Sequence, residues 1–179
     1  MPYSPRDLRP GDVLLMTSSS HESLPARLLD VLIAMSEANP FVHACLVGQG
    51  HLIDPLWRVQ RASLRRYAAN GWAFRVRATD ADRLAAVGWA EQHVGNRYGV
   101  EEILADAARL DLHVVLPAWY RWRTGHWTCS GFVDQAYLQA GVRLTGAPLP
   151  SPADLAFSPL LIGPRPWAVV RHARRKESD

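Results

Sequence analysis

The segment Trp127-Thr128-Cys129-Ser130-Gly131-Phe132-Val133 puts a cysteine where a loop meets the start of an amphipathic helix. Backbone N–H groups in a helix's first turn lack intrahelical acceptors, and the positive end of the helix dipole lies there. Both effects stabilise a thiolate and make a cysteine a better nucleophile near neutral pH. The same N–H groups can hold the oxyanion of a tetrahedral intermediate. Cys129 is therefore the candidate nucleophile.

A thiolate mechanism also needs an imidazole within hydrogen-bond reach, itself held by a third group. Among seven histidines, His43 stands inside an apolar strand, Phe41-Val42-His43-Ala44-Cys45-Leu46-Val47. Burying a polar ring there needs a reason. If Gly48-Gln49 forms a two-residue type II′ turn, Val47 faces Gly50 and His43 falls opposite Asp54. A carboxylate at that position would orient the imidazole and stabilise its charged form. A three-residue turn would send Asp54 to the other face and bring His51 alongside instead. Cys45 shares a strand face with His43, as an alternative nucleophile or a metal ligand. Mid-strand cysteines are commonly small buried hydrophobes, however, and no helix dipole assists this one. His43, Cys45 and His51 lack a familiar zinc spacing, so no metal and no other cofactor is expected.

The elements that must position these groups follow from patterning. Asp12 to Thr17 reads as a buried strand after a Pro10-Gly11 turn, and Phe41 to Val47 as a second. Leu52-Ile53-Asp54 makes a third strand, and Trp72 to Ala78 alternates as a half-buried fourth. Ser23 can cap a helix carrying Leu24 to Met35, and Ser63 opens a short helix through Tyr67. Asp80 caps a helix from Ala81 to His93, and another runs from Val100 to Arg109. The helix from Cys129 to Ala140 ends at Gly141, and a last strand spans Trp167 to Arg171. The mixture is α+β: a small, mainly antiparallel sheet packed with helices.

At 179 residues, 48% hydrophobic and 21% charged, the chain suits one globular domain over 1–179, with about 172–179 a basic tail. Its net charge of +3 comes almost wholly from arginine, Lys176 being the lone lysine. The densest basic run is that tail, and no zinc-finger or aromatic RNA-binding pattern accompanies it, so no nucleic acid partner is expected. No apolar run could span a bilayer and Met1 to Arg6 carries no secretory signal, so the expected location is cytoplasmic. Two cysteines without a disulfide pattern fit a reducing compartment.

Cys129-Ser130-Gly131-Phe132 resembles the nucleophile motif of the NlpC-type cysteine peptidases, in which Asp-Cys-Ser-Gly opens the catalytic helix. Gly95-Asn96-Arg97-Tyr98-Gly99 resembles the Gly-x-x-Tyr segment preceding that motif. Here the histidine strand comes before the cysteine, which is similar to the circularly permuted papain-like branch typified by YaeF/YiiX. Pro10-Gly11-Asp12-Val13 and the segment Ser151-Pro152-Ala153-Asp154-Leu155-Ala156 resemble that branch too. The resemblance implies a papain-like fold with Cys129 as nucleophile, His43 as base, Asp54 as orienting residue and Tyr98 near substrate. It implies amide hydrolysis, with cell-wall-type peptides as the substrate class. Without a secretory signal, such an enzyme would need release by lysis, a phage-type export route or a role in cytoplasmic recycling of wall peptides. Thr128 replaces the family's aspartate before the cysteine.

The stretch from Leu112 to Trp127 is long and aromatic, and directly precedes the nucleophile. It is either a substrate wall, through Trp119, Trp122 and Trp127, or a packed excursion that completes the core. As an exposed wall it would suit an acyl chain, a sugar face or a membrane surface, with Arg121 and Arg123 toward a carboxylate or lipid phosphate. Two other readings follow: a lipid-directed thioesterase or acyltransferase, and a papain-like domain that only binds peptide or lipid. The expected partner in each case is a small peptide or acylated molecule, and oligomeric state is left open.

Overall fold

Val13, Leu14, Leu15 and Met16 are each fully buried, so the strand they form, β1 (Val13–Met16), must be covered on both faces and both edges. A computed structural model describes residues 7–17, 39–56, 58–67, 71–96, 128–148 and 150–166 of the chain. In it β1 lies between β2 (His43–Val47) and β5 (Gly71–Val76). With β3 (Leu52–Pro55), β4 (Val59–Ala62) and β6 (Leu161–Pro166), the sheet has the order β4-β3-β2-β1-β5-β6, and every pairing is antiparallel.

Strand side chains alternate between two apolar clusters. One holds Leu15, Ala44, Leu46, Ile53 and Phe74, packed against Phe132, Val133, Ala136 and Tyr137 of a helix. The other holds Leu14, Met16, Cys45, Val47, Leu52 and Tyr67. That helix, α2 (Cys129–Gln139), follows α1 (Asp80–Gln92) and packs on both α1 and β2. A short α3 (Pro152–Ala156) completes the described helices. The architecture is the expected α+β one, a small antiparallel sheet packed with helices.

Boundaries moved where local chemistry decided them. Thr79, not Asp80, caps α1, in a reciprocal box with Asp82. Ser63 to Tyr67 forms a turn, Arg66 N–H bonding Ser63 O at 2.9 Å, rather than a helix. α3 was not expected, although Ser151 and Asp154 form a capping box around Pro152. Nor was β6, whose Gly163, Pro164 and Pro166 argue against a strand; it is an edge strand, where proline is tolerated. The helices expected at 24–35 and 100–109, the aromatic stretch 112–127, the strand at 167–171 and the basic tail fall outside the described residues. Among the described residues no helix is long and apolar enough to cross a membrane.

The Pro10-Gly11-Asp12 turn ties three elements together. Gly11 N–H donates to Val47 O at 2.8 Å, and Val47 N–H donates to Asp12 O at 2.8 Å. Tyr137 of α2 donates its hydroxyl proton to Gly11 O. The Asp12 carboxylate, buried, accepts from Arg75 of β5 at 3.2 Å and from Arg9 N–H at 2.9 Å. Gly11 sits at φ 88, and an added Cβ would lie 2.6 Å from Arg83 Cβ and 2.9 Å from the Tyr137 hydroxyl. Backbone strain and overlap then act together, so Gly11→Ala should lower unfolding free energy by about 2–3 kcal/mol. Urea denaturation measures this; an unchanged midpoint would mean that Arg83 and Tyr137 relax away.

Candidate active site

The connection from β2 to β3 decides which residues meet. The ladder pairs Leu46 with Ile53 and Val47 with Leu52, leaving a four-residue connection closed by Gly48 N–H to His51 O at 2.8 Å. The expected two-residue turn is therefore corrected, and the register moves by two positions. Continued one step, it sets Asp54 across from Cys45 rather than His43. An even shift keeps every side chain on its face. Asp54 thus reaches His43 diagonally, and the His43 Nε2 to Asp54 Oδ1 distance is 2.8 Å. His51, the other candidate for this role, lies in the connection and bonds Glu91 of α1 at 2.5 Å, where Arg61 also binds.

Asp54 is fully buried and saturated with donors. Cys45 Sγ donates to Oδ1 at 3.3 Å and the Tyr67 hydroxyl to Oδ2 at 2.9 Å. Arg66 stands 3.7 Å from Oδ2. Burial works against its ionisation, but the hydrogen bonds from His43, Tyr67 and Cys45 prevail and lower its pKa.

His43 is buried at the first position of β2, and the side chain of Cys129 is among the groups that act on its ring. Burial opposes a charged ring, yet the sulfurs of Cys45 and Cys129 and the Asp54 carboxylate outweigh it and hold the His43 pKa well above its ordinary value. Cys45 differs from Cys129. Burial, and then the Asp54 charge, push its thiol pKa far up, and His43 offsets this only in part. Cys45 therefore keeps its proton.

Each residue around the nucleophile has a mechanical reason. Thr128 caps α2, its hydroxyl oxygen accepting from Gly131 N–H at 3.1 Å, as an aspartate would. A Cβ on Gly131 would come within 2.8 Å of that oxygen, so the cap needs glycine there. Ser130, buried, donates to Pro150 O at 2.6 Å and fastens the first turn to the segment before α3. Cys129 is left at the helix's first position, 6% exposed. Both cysteines are thiols.

The structure therefore joins His43 to Asp54 by a hydrogen bond and sets Cys129 close enough to act electrostatically on the His43 ring. Tyr98, Trp119, Trp122 and Trp127 lie outside the described residues. Sequence reasoning missed Tyr67, which holds Asp54 from the turn after β4; its only signal was a tyrosine closing a polar Ser63-to-Tyr67 segment. It also missed a compact donor set. Nε2 of His43, Sγ of Cys45 and a carboxylate oxygen of Asp54 lie within 4.8 Å of one another, all buried. The expectation of no metal weighed His51 as the third ligand; folding puts Asp54 there instead.

No family model matches the chain, and no curated protein matches it in sequence. Among solved structures it is similar to the crystal structure of the metalloprotein yiiX from Escherichia coli O157:H7. The TM-score is 0.62 at 15% sequence identity, over 89% of this chain and 98% of that one. The chain shares that fold.

Two measurements follow. Replacing the cap, Thr128→Ala should cost about 1 kcal/mol of stability while Thr128→Asp retains it; equal losses in urea denaturation would contradict the capping role. NMR titration should place the His43 ring well above the value of about 6.5 for a free histidine, and Asp54→Asn should bring it down. A raised histidine stabilises the fold fully below about pH 6.5 and ceases to as pH climbs through its folded value. A lowered carboxylate stabilises above about pH 3.9 and ceases to as pH falls through its folded value. Stability should thus decline on both sides of that window, and Asp54→Asn should flatten the alkaline arm. Identical His43 titrations in the two proteins would show that Asp54 does not govern the ring.

Proposed function

We propose that the chain is a cysteine hydrolase of the amidase or peptidase kind, built on a circularly permuted papain-like plan. One arrangement carries this: a cysteine at the first position of α2 lies close enough to His43 to act on its ring, and the Nε2 of that ring is held at 2.8 Å by a buried carboxylate. The histidine strand precedes the cysteine helix in the chain, the order of the permuted branch that the sequence resembles.

In this reading His43 takes the proton of the Cys129 thiol at Nδ1, and Asp54 steadies the resulting imidazolium through Nε2–H. The sulfur adds to the substrate carbonyl, and backbone N–H groups of the first turn of α2 stabilise the oxyanion. Collapse expels the amine, which leaves with the proton from His43, and an acyl thioester remains on Cys129. His43 then takes a proton from water as that water attacks the thioester. The acid departs and the proton returns to sulfur. Cys45 is a poor nucleophile by comparison: it is fully buried in mid-strand and holds its proton. Cell-wall-type peptides are the substrate class favoured by the resemblance.

The neighbour yiiX is described as a metalloprotein. On this chain the donors suited to a metal are His43, Cys45 and Asp54. A nitrogen, a sulfur and an oxygen in so small a space fit zinc, whose chemistry when bound would be that of a divalent charge on these donors.

An electrophilic amide probe should label Cys129, as read by peptide mapping. Cys129→Ala and His43→Ala should each lower hydrolysis by about a thousandfold or more. Labelling that falls on Cys45 would sink the assignment.

A further inference from the structure

We propose that His43, Cys45 and Asp54 bind a zinc ion, and that the bound ion switches off His43 as a base toward Cys129. The binding stands on its own geometry; the switch rests on the cysteine-hydrolase reading.

The donors already stand near the corners that zinc requires. His43 Nε2 and Cys45 Sγ are 3.6 Å apart, Cys45 Sγ and Asp54 Oδ1 3.3 Å, and His43 Nε2 and Asp54 Oδ1 2.8 Å. Tetrahedral zinc with ordinary bond lengths separates nitrogen from sulfur by about 3.6 Å and nitrogen from oxygen by about 3.3 Å. The His43–Asp54 pair must open by about half an ångström and the Cys45–Asp54 pair by about a quarter of one, while the His43–Cys45 separation already fits. Charge balances as well. One thiolate and one carboxylate neutralise a divalent ion beside a neutral imidazole, which a dry site requires. The thiol proton of Cys45 leaves to solvent as the ion enters, and the ring proton passes by way of solvent from Nε2 to Nδ1. An outer layer is in place, since the Tyr67 hydroxyl already holds Asp54 Oδ2 and leaves Oδ1 to the ion. Softness selects the metal: a thiolate with an imidazole favours zinc over magnesium or calcium.

The consequence for catalysis is a matter of lone pairs. Without the ion, Nε2 carries the ring proton toward Asp54, and Nδ1 offers a lone pair to Cys129. With zinc on Nε2, the proton of the neutral ring resides on Nδ1. The nitrogen facing Cys129 has become a donor and takes no proton from the thiol. Cys45, which the proposed hydrolysis does not use, is what makes the back of the histidine a metal site.

The test uses the full chain, freed of metal by a chelator, with cobalt(II) and zinc(II) as probes. Cobalt should give a thiolate-to-metal charge-transfer band in the near ultraviolet, and zinc should bleach it. Cys45→Ser, close in size to the native residue, should lose the band, while Cys129→Ala should keep it. Zinc should also slow iodoacetamide alkylation of Cys129 by about tenfold or more, reversibly with chelator and not in Cys45→Ser. No band in the native chain, or a band lost in Cys129→Ala and kept in Cys45→Ser, overturns the site. A Cys45-dependent band with alkylation unchanged overturns the switch. If the chain hydrolyses nothing yet binds cobalt through Cys45, the hydrolase reading fails while the metal site stands.

Discussion

A carboxylate with no solvent exposure can stay ionised only if the protein supplies the donors that water would have supplied. Asp54 is such a group, and much of the described structure is arranged around it. β2 supplies His43 and Cys45 two residues apart on one face, and the register of β3 sets the carboxylate between them. The turn after β4 supplies Tyr67 and Arg66. Removing any one donor leaves a charge partly unpaired in a dry site. The acid therefore constrains strand register, connection length and turn conformation together.

The nucleophile end has its own constraint, which is room. Thr128, Ser130 and Gly131 hold the first turn of α2 by a cap, a tether and a missing side chain. The Tyr137 hydroxyl, two turns further on, bonds the Gly11 carbonyl, whose turn also bonds the end of β2. Helix and histidine strand are thereby pinned to one turn, and the Cys129–His43 contact follows from that shared anchor. Thr128 for aspartate preserves the cap while adding no negative charge beside the sulfur.

How much was legible beforehand depended on the range of the forces involved. Val13, Leu14, Leu15 and Met16, the apolar run around His43, and the loop-to-helix cysteine were readable because burial and capping are written in adjacent residues. The α+β class followed from the same patterns. The His43–Asp54 contact was readable for a partly wrong reason. The turn has four residues rather than two, and parity, not the turn type, kept Asp54 on the right face. Tyr67 and the Cys45–Asp54 contact were not readable, because each depends on a register or a turn set by distant packing. β6 was hidden by its prolines, which only its place at the sheet edge makes acceptable. His51 stood in reserve behind Asp54 in the sequence, and in the fold it is held by Glu91, which also binds Arg61.

The same geometry that makes a good orienting carboxylate makes an incipient metal site. An imidazole, a thiol and a carboxylate brought close enough to share protons are also close to the separations that a tetrahedral ion imposes. The difference lies mainly in one contact, 2.8 Å between His43 and Asp54 where about 3.3 Å would be wanted. A proton fits the shorter distance and a zinc ion the longer, so the two occupants exclude each other. A site with an apolar residue in place of Cys45 would have two donors and a weak hold on any ion. With Cys45 the third donor sits in the strand, between His43 and the residue across from it. One side-chain position thus separates a histidine that can only exchange protons from one that can also be held by a metal.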